Sequence, residues 1–206
     1  MERILNHSSY IVRIQYKFLM RSPHNFIVTP VKNKRYDNTK ELGEVDFITS
    51  VSQEDHQSSN RFATVISLPI DYKGEIEIGD TLLVHHNVFK FYYDMQGRQK
   101  SGRSHLKDNL FLIDNEQFFL YKKKDKWKSH GKYCFIKPIE SKDSIIYKGT
   151  KEEPLFGTVK YINDQLIQLG VKEGDTISFT PDSEYEFTVE GEKLYRMFTN
   201  NITMIV

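Results

Sequence analysis

The sequence predicts an all-β chain built as two related units in tandem, and three observations carry that expectation. Short β-branched and aromatic runs broken by Gly, Asn and Asp recur along the 206 residues, whereas few windows hold a 3.6-residue apolar period for the length a stable helix needs. The stretch 76–84 is matched by the stretch 171–179, with their Gly-Asp steps 95 positions apart. Around each copy the strand and turn signals come in the same order, which is the signature of duplication.

Taken along the chain, the expected strands are 10–19, 26–31, 61–67, 81–84, 88–93, 110–113, 118–121, 133–139, 156–162, 176–180, 184–189, 194–198 and 203–206. The first alternates apolar and polar from Val12 to Phe18. Each repeat then begins with an apolar run containing a proline, Pro30 in one and Pro138 in the other. A connection, a second strand and the Gly-Asp step follow, and a hairpin leads to a short last strand after Asn115 or after Asn200 and Asn201. Gly79 and Gly174 can take the positive φ of a sharp bend, and Asp80 and Asp175 can bond the backbone beside it, so both pairs are expected as structural turns. These signals give an N-terminal extension at 1–22, a first unit at 23–121, a linker at 122–132 whose six lysines leave little to pack, and a second unit at 133–206.

Composition narrows the function. Hydrophobic residues make up 38% and charged residues 28%, which suits a folded chain with a well-solvated surface. Basic and acidic residues balance at 29 and 28, so the cationic excess of a dedicated nucleic-acid binder is missing. The run Lys122, Lys123, Lys124, Lys126, Trp127, Lys128 could touch phosphate and stack on a base, but is read as a solvated linker. Cys134 is the single cysteine, which excludes an intramolecular disulfide and a cysteine-based zinc site and fits a reducing compartment. Arg13 and Lys17 interrupt the apolar start, disqualifying it as a signal-peptide core or membrane span, so a cytoplasmic protein is expected. His85, His86, His105 and His130 show no metal-binding spacing, and no phosphate-cradling or nucleophile-elbow motif occurs. Neither an enzyme nor a cofactor or metal site is expected.

Gly74, Ile76, Ile78, Gly79, Asp80, Leu82 and Val84, with Leu112, Ile113, Asn115 and Glu116 further on, resemble the small co-chaperonin family, the GroES-like lids of chaperonin rings. The second copy is similar, with Phe135, Pro138, Gly157, Val159, Val171, Gly174, Asp175, Ile177, Phe179 and a final strand at 202–206. The likeness covers 26–206, and its tandem form resembles the double-length lids of chloroplasts. It implies two tandem GroES-like small β-barrels in a homo-oligomeric ring, with a GroEL-like chaperonin ring as partner and unfolded client proteins served indirectly. It implies no bound cofactor, because the chaperonin would consume the ATP.

In that family a long loop after the first strand ends in a short apolar segment that binds the chaperonin. The stretch 32–60 sits in that place, and the resemblance assigns partner binding to Val45, Asp46, Phe47, Ile48 and Thr49. Physical chemistry agrees: a connection of this length is uncommon unless functional or disordered, and its polar composition predicts mobility. Val45, Phe47 and Ile48 would gain burial only from a partner's groove. The plainer alternative is that 45–51 forms an ordinary hairpin packed on its own unit.

The second copy departs from this pattern. Phe135 to Gly174 spans 39 positions against 53 from Phe26 to Gly79, and its connection offers only Ile145, Ile146 and Tyr147 as an apolar cluster, so the first unit alone is the better docking candidate. The polar, basic hairpin at 94–109 lies where the family has its roof loop, and reads either as a charged tip facing a cavity or as a solvated turn. A structural or assembly protein, for example a viral particle component, that uses the same barrels for oligomer contacts is the alternative function.

Overall fold

The computed structural model describes residues 20–36, 59–141 and 152–206, and the backbone alone of 39–42 and 45–48. The expected strand at 10–19 lies outside the described residues. The chain divides into two compact units between Lys123 and Lys124. The described residues are all-β in antiparallel sheets, apart from one five-residue helix and two 3-10 turns.

In the first unit the strands are β1 (Phe26–Pro30), β2 (Thr39–Leu42), β3 (Val45–Ile48), β4 (Phe62–Ser67), β5 (Thr81–Val84), β6 (Phe91–Tyr93), β7 (Gln99–Ser101), β8 (His105–Lys107), β9 (Leu110–Ile113) and β10 (Phe118–Lys123). Six of them lie side by side in one sheet in the order β10-β5-β4-β1-β9-β8, while β2-β3 and β6-β7 are separate two-stranded ribbons. Central β1 is flanked on both sides, and Phe26, Ile27 and Val28 are buried in succession, as a strand covered on both faces requires. β4 alternates instead: Ala63, Val65 and Ser67 are buried and the residues between them are half-buried.

The second unit holds β11 (Lys126–Ser129), β12 (Tyr133–Glu140), β13 (Glu152–Tyr161), helix α1 (Asp164–Gln168), β14 (Thr176–Phe179), β15 (Tyr185–Val189), β16 (Glu192–Phe198) and β17 (Ile202–Ile205). Its six-stranded sheet runs β17-β14-β13-β12-β16-β15. Replacing each strand by its counterpart turns the first order into the second.

The correspondence holds residue by residue. Val28 faces Val65 and Ile136 faces Val159, with a bulge just before Val28 and just before Ile136. Pro30 faces Ala63, and Pro138 faces Gly157. On the other side of the central strand, Phe26 faces Ile113 and Cys134 faces Met197. Leu82 faces Ala63 and Tyr121, while Ile177 faces Gly157 and Ile205. The two hydrophobic cores use matching positions: Phe26, Val28, Val65, Ile76, Leu82 and Ile113 in one, and Cys134, Ile136, Val159, Val171, Ile177 and Met197 in the other. Each fully buried large side chain of this kind contributes about 1.5–3 kcal/mol. The first unit adds Val88 and Phe89, the latter edge-on to Phe111 at 4.8 Å, to seat its longer hairpin region.

Three expectations change. Among the described residues hydrogen bonding closes neither sheet into a barrel. The stretch 122–132 is no plain linker: β10 runs to Lys123, Lys124 and Asp125 make a tight turn at φ 47° and 63°, and β11 follows. Period-2 alternation explains it, since exposed Lys126 and Lys128 flank half-buried Trp127. Helix α1 was not foreseen. Asn163 caps it by accepting from the Leu166 N–H at 2.9 Å, and Leu166 drops into the core.

Candidate functional site

The Gly-Asp corner is built identically in both units. Gly79 and Gly174 take φ 98° and 92°. Gly79 donates to the Val65 carbonyl at 2.9 Å, and the Val65 N–H donates to the Asp80 carbonyl at 2.9 Å. The twin bonds join Gly174, Val159 and Asp175 at 2.8 and 2.9 Å. Asp80 Oδ2 accepts from the Glu77 N–H at 2.8 Å, as Asp175 Oδ2 does from the Lys172 N–H at 2.8 Å. Each aspartate thus closes the turn that its own glycine opens, and the chain passes from rim to sheet within two residues.

The connection from β1 to β4 carries the predicted binding segment, and its base in the first unit is tightly held. Lys32 and Asn33 take positive φ, at 60° and 57°, bending the chain away from β1. Asn60 closes the bend from the far side: its amide donates to the Val31 carbonyl at 3.0 Å and to the Lys34 carbonyl at 2.8 Å, and its Oδ1 accepts from the Phe62 N–H at 2.9 Å. The Asn60 N–H donates to the Arg35 carbonyl at 2.9 Å, and Tyr36 bridges to Ser59. Tyr36 is buried, stacks on Phe91 and accepts from the Phe91 N–H at 2.8 Å. The Arg35 guanidinium lies 4.1 Å from the Phe91 ring centre and 4.7 Å from that of Phe111, and donates to Ser101 Oγ at 3.1 Å. Burial lowers the pKa of Arg35, yet the residue remains a cation at any physiological pH. The chain therefore leaves and returns through one fixed place.

Of the five residues assigned to partner binding, Val45, Asp46, Phe47 and Ile48 form β3, paired antiparallel with β2: Thr39 faces Ile48, Lys40 faces Phe47, Glu41 faces Asp46 and Leu42 faces Val45. The stretch thus has local pattern that its composition hid. Among the described residues this ribbon is not hydrogen-bonded to the first unit's larger sheet. Thr49 lies outside the described residues, as does the second unit's 145–147 cluster. Asn60, Arg35 and Tyr36 went unrecognised in the sequence; the available signals were an asparagine just before a strand and one aromatic in a polar stretch.

The polar stretch 94–109 begins as the tip of the ribbon β6-β7. Asp94 holds its tip, accepting from the N–H groups of Gln96 and Arg98 at 2.9 Å each and pairing with Arg98 Nε at 3.0 Å. The Arg98 N–H, ahead of these other bonds, keeps the Asp94 carboxyl below the usual range. Tyr92, Tyr93 and Met95 are exposed there. A groove of about 1100 Å³ beside the ribbon is lined by Lys90 and Arg103 but also by Asp114 and Glu116, so its charge favours no one ionic ligand.

The rings of His85 and His86 lie 4.1 Å apart and tilted by 32°, and His105 bonds the Asp108 carbonyl at 3.0 Å. No group of three His, Cys, Asp or Glu side chains is placed to hold a metal among the described residues. None of the described helices is long and apolar enough to cross a membrane. No protein-family model matches the chain, and no curated protein matches it.

Proposed function

We propose that this chain is a co-chaperonin-like lid, a non-enzymatic protein whose two sheets are GroES-like units and whose 32–60 connection caps a chaperonin ring. The observation that carries the reading is the doubled Gly-Asp corner set in one shared strand order and register, with one long connection springing from a clamped base in the first unit. In this reading Val45, Asp46, Phe47, Ile48 and Thr49 meet the chaperonin, as an added strand or as side-chain anchors. Each docking event orders part of the chain and is weak alone. A ring of copies engages several loops together and offsets that loss while still releasing readily. The lid binds no cofactor, and unfolded clients meet it only through the chamber it closes.

The test is capture of the protein on a chaperonin ring with and without nucleotide. Wild type should be retained in a nucleotide-dependent way, and Phe47→Asp and Ile48→Asp should each lose at least tenfold in affinity, since a buried Phe or Ile contributes about 1.5–3 kcal/mol. Wild type that is captured under no nucleotide condition would end the lid reading. One observation favours a second reading, a structural or assembly protein such as a viral particle component: strand β17 leaves Met204 and Ile205 exposed at a sheet edge. In that case the Asp variants would leave assembly intact and no chaperonin would be bound.

A further inference from the structure

The two units differ most between β5 and β8. Residues 85–104 of the first unit stand where the second has only 180–184, between β14 and β15. The added stretch is anchored, because Val88 and Phe89 are fully buried in the first unit's core. Most of the lining of the groove beside β6-β7 comes from these added residues, and the rest from Asn25, Leu112 and the turn at 114–117. The groove is therefore something the first unit has and the shorter repeat has no residues to build.

Its walls are tied together. The His85 N–H donates to the Gln117 carbonyl at 2.8 Å, and Gln117 Nε2 donates to Ser104 Oγ at 3.2 Å. Gln117 Oε1 accepts from the Asp114 N–H at 3.1 Å, and Asp114 Oδ1 accepts from the Glu116 N–H at 2.8 Å. Gly102 brings the returning strand close, since a Cβ there would lie 3.3 Å from the Lys90 carbonyl. A ligand would meet a site already in shape, which lowers the ordering cost of binding.

The chemistry of the lining selects among ligands. Lys90 and Arg103 are answered by Asp114 and Glu116, so a molecule of either net charge would meet its own sign as well as the opposite one. A neutral molecule rich in hydroxyls can use both, because each hydroxyl donates to a carboxylate and accepts from a cation or an amide. Asn25 and Asn87 add amides of that kind. One aromatic ring completes the set. Phe91 is turned toward Tyr36 and Arg35, so strand alternation turns Tyr92 to the opposite face of the ribbon, where it lines the groove and is 50% exposed. A flat, half-exposed ring suits the C–H face of a sugar. The groove, about 1100 Å³, is of the size of a small-molecule site.

We propose that this groove is a carbohydrate-binding site that takes a short neutral oligosaccharide, one sugar ring lying on Tyr92 and its hydroxyls bonded to the amides and charged groups around it. The site is separate from the docking segment at 45–49 and stands whether or not a chaperonin is the partner.

The experiment titrates the isotope-labelled full chain, followed by NMR, with neutral hexasaccharides of glucose, mannose, galactose and N-acetylglucosamine, and with adenosine monophosphate and glycylglycine as charged probes. At least one hexasaccharide should move the amide signals of Asn87, Tyr92 and Gly102 and leave Val159 of the second unit in place. Its affinity should not change from low to high salt, because a neutral ligand is not screened. Tyr92→Ala should lose roughly tenfold in affinity and Tyr92→Trp should keep it, both with unchanged far-ultraviolet dichroism. The proposal is overturned if no hexasaccharide moves those signals at millimolar concentration or if Tyr92→Ala binds as wild type does. It is also overturned if only the charged probes bind there, with affinity that falls as salt rises. Phe47→Asp, which tests the lid reading, should bind the sugar as wild type does, so the two can fail separately.

Discussion

Replacing Asn60 with alanine tests whether the long connection of the first unit springs from a rigid base. The substitution removes two donated bonds, to Val31 and Lys34, and one accepted bond, from the Phe62 N–H. A neutral bond of this kind contributes about 0.5–1.5 kcal/mol net. The Lys34 carbonyl is on the exposed side and water replaces its partner readily, so the lower figure applies there. The Val31 and Phe62 groups are half-buried, and for them the upper figure is nearer. The sum is about 3 kcal/mol, confined to the first unit. Native-state hydrogen exchange followed by NMR reads this most directly: the Phe62 amide should lose on the order of 100-fold in protection, while the Val159 amide of the second unit is unchanged. Asn60→Asp is the informative control, because it keeps the acceptor for Phe62 and loses both donors, and it should fall between wild type and alanine. A Phe62 amide as protected in Asn60→Ala as in wild type would refute the clamp.

Other perturbations separate the two units. Gly79→Ala and Gly174→Ala place a Cβ in open space at φ 98° and 92°, so each should cost only the backbone strain of about 1–2 kcal/mol, equally in both units, by urea unfolding. Gly157→Ala differs in mechanism, since its Cβ would lie 2.8 Å from Ile136 Cδ1 and 3.0 Å from the Lys137 carbonyl; overpacking of about 1–3 kcal/mol is expected in the second unit alone. Acid should weaken that unit through Glu152. Burial works against its charge, but bonds from Tyr195 Oη at 2.6 Å and Lys193 Nζ at 2.9 Å prevail and hold its pKa below the ordinary 4.5. A depressed folded-state pKa gives a contribution that is present above the unfolded value and is lost as pH falls through the folded one. Thermal midpoints should therefore drop on acidification below about pH 4.5, with a shallower slope in Glu152→Gln.

What could be read from the sequence was whatever a few neighbouring residues decide among themselves. The Gly-Asp corners were legible because positive φ selects glycine and the aspartate bonds a backbone group three residues away, as Asp80 does with Glu77. The central strands β1 and β12 were legible because their apolar runs allow burial on both faces, and the all-β class followed from the alternation of strands such as β4. Lysines at 122–132 misled, because solvation of one face was taken for absence of structure. The ribbon β2-β3 was read only as the alternative, a hairpin at 45–51, for the related reason that polar composition says nothing about backbone pairing.

Strand order was decided only in three dimensions. Nothing near Phe26 in sequence says that β1 sits between β4 and β9, or that Asn60 reaches back to Val31 and Lys34. Tyr36 finds Phe91 across 55 positions, and Asn163 finds Thr199 across 36. Such partners are chosen by which surfaces meet once the core has closed, and the information is spread over the whole chain. The one long-range feature visible beforehand was the duplication, because two copies of a sequence obey the same physics twice, and it is the shared register of Val65 with Val28 and of Val159 with Ile136 that turns likeness of sequence into likeness of structure.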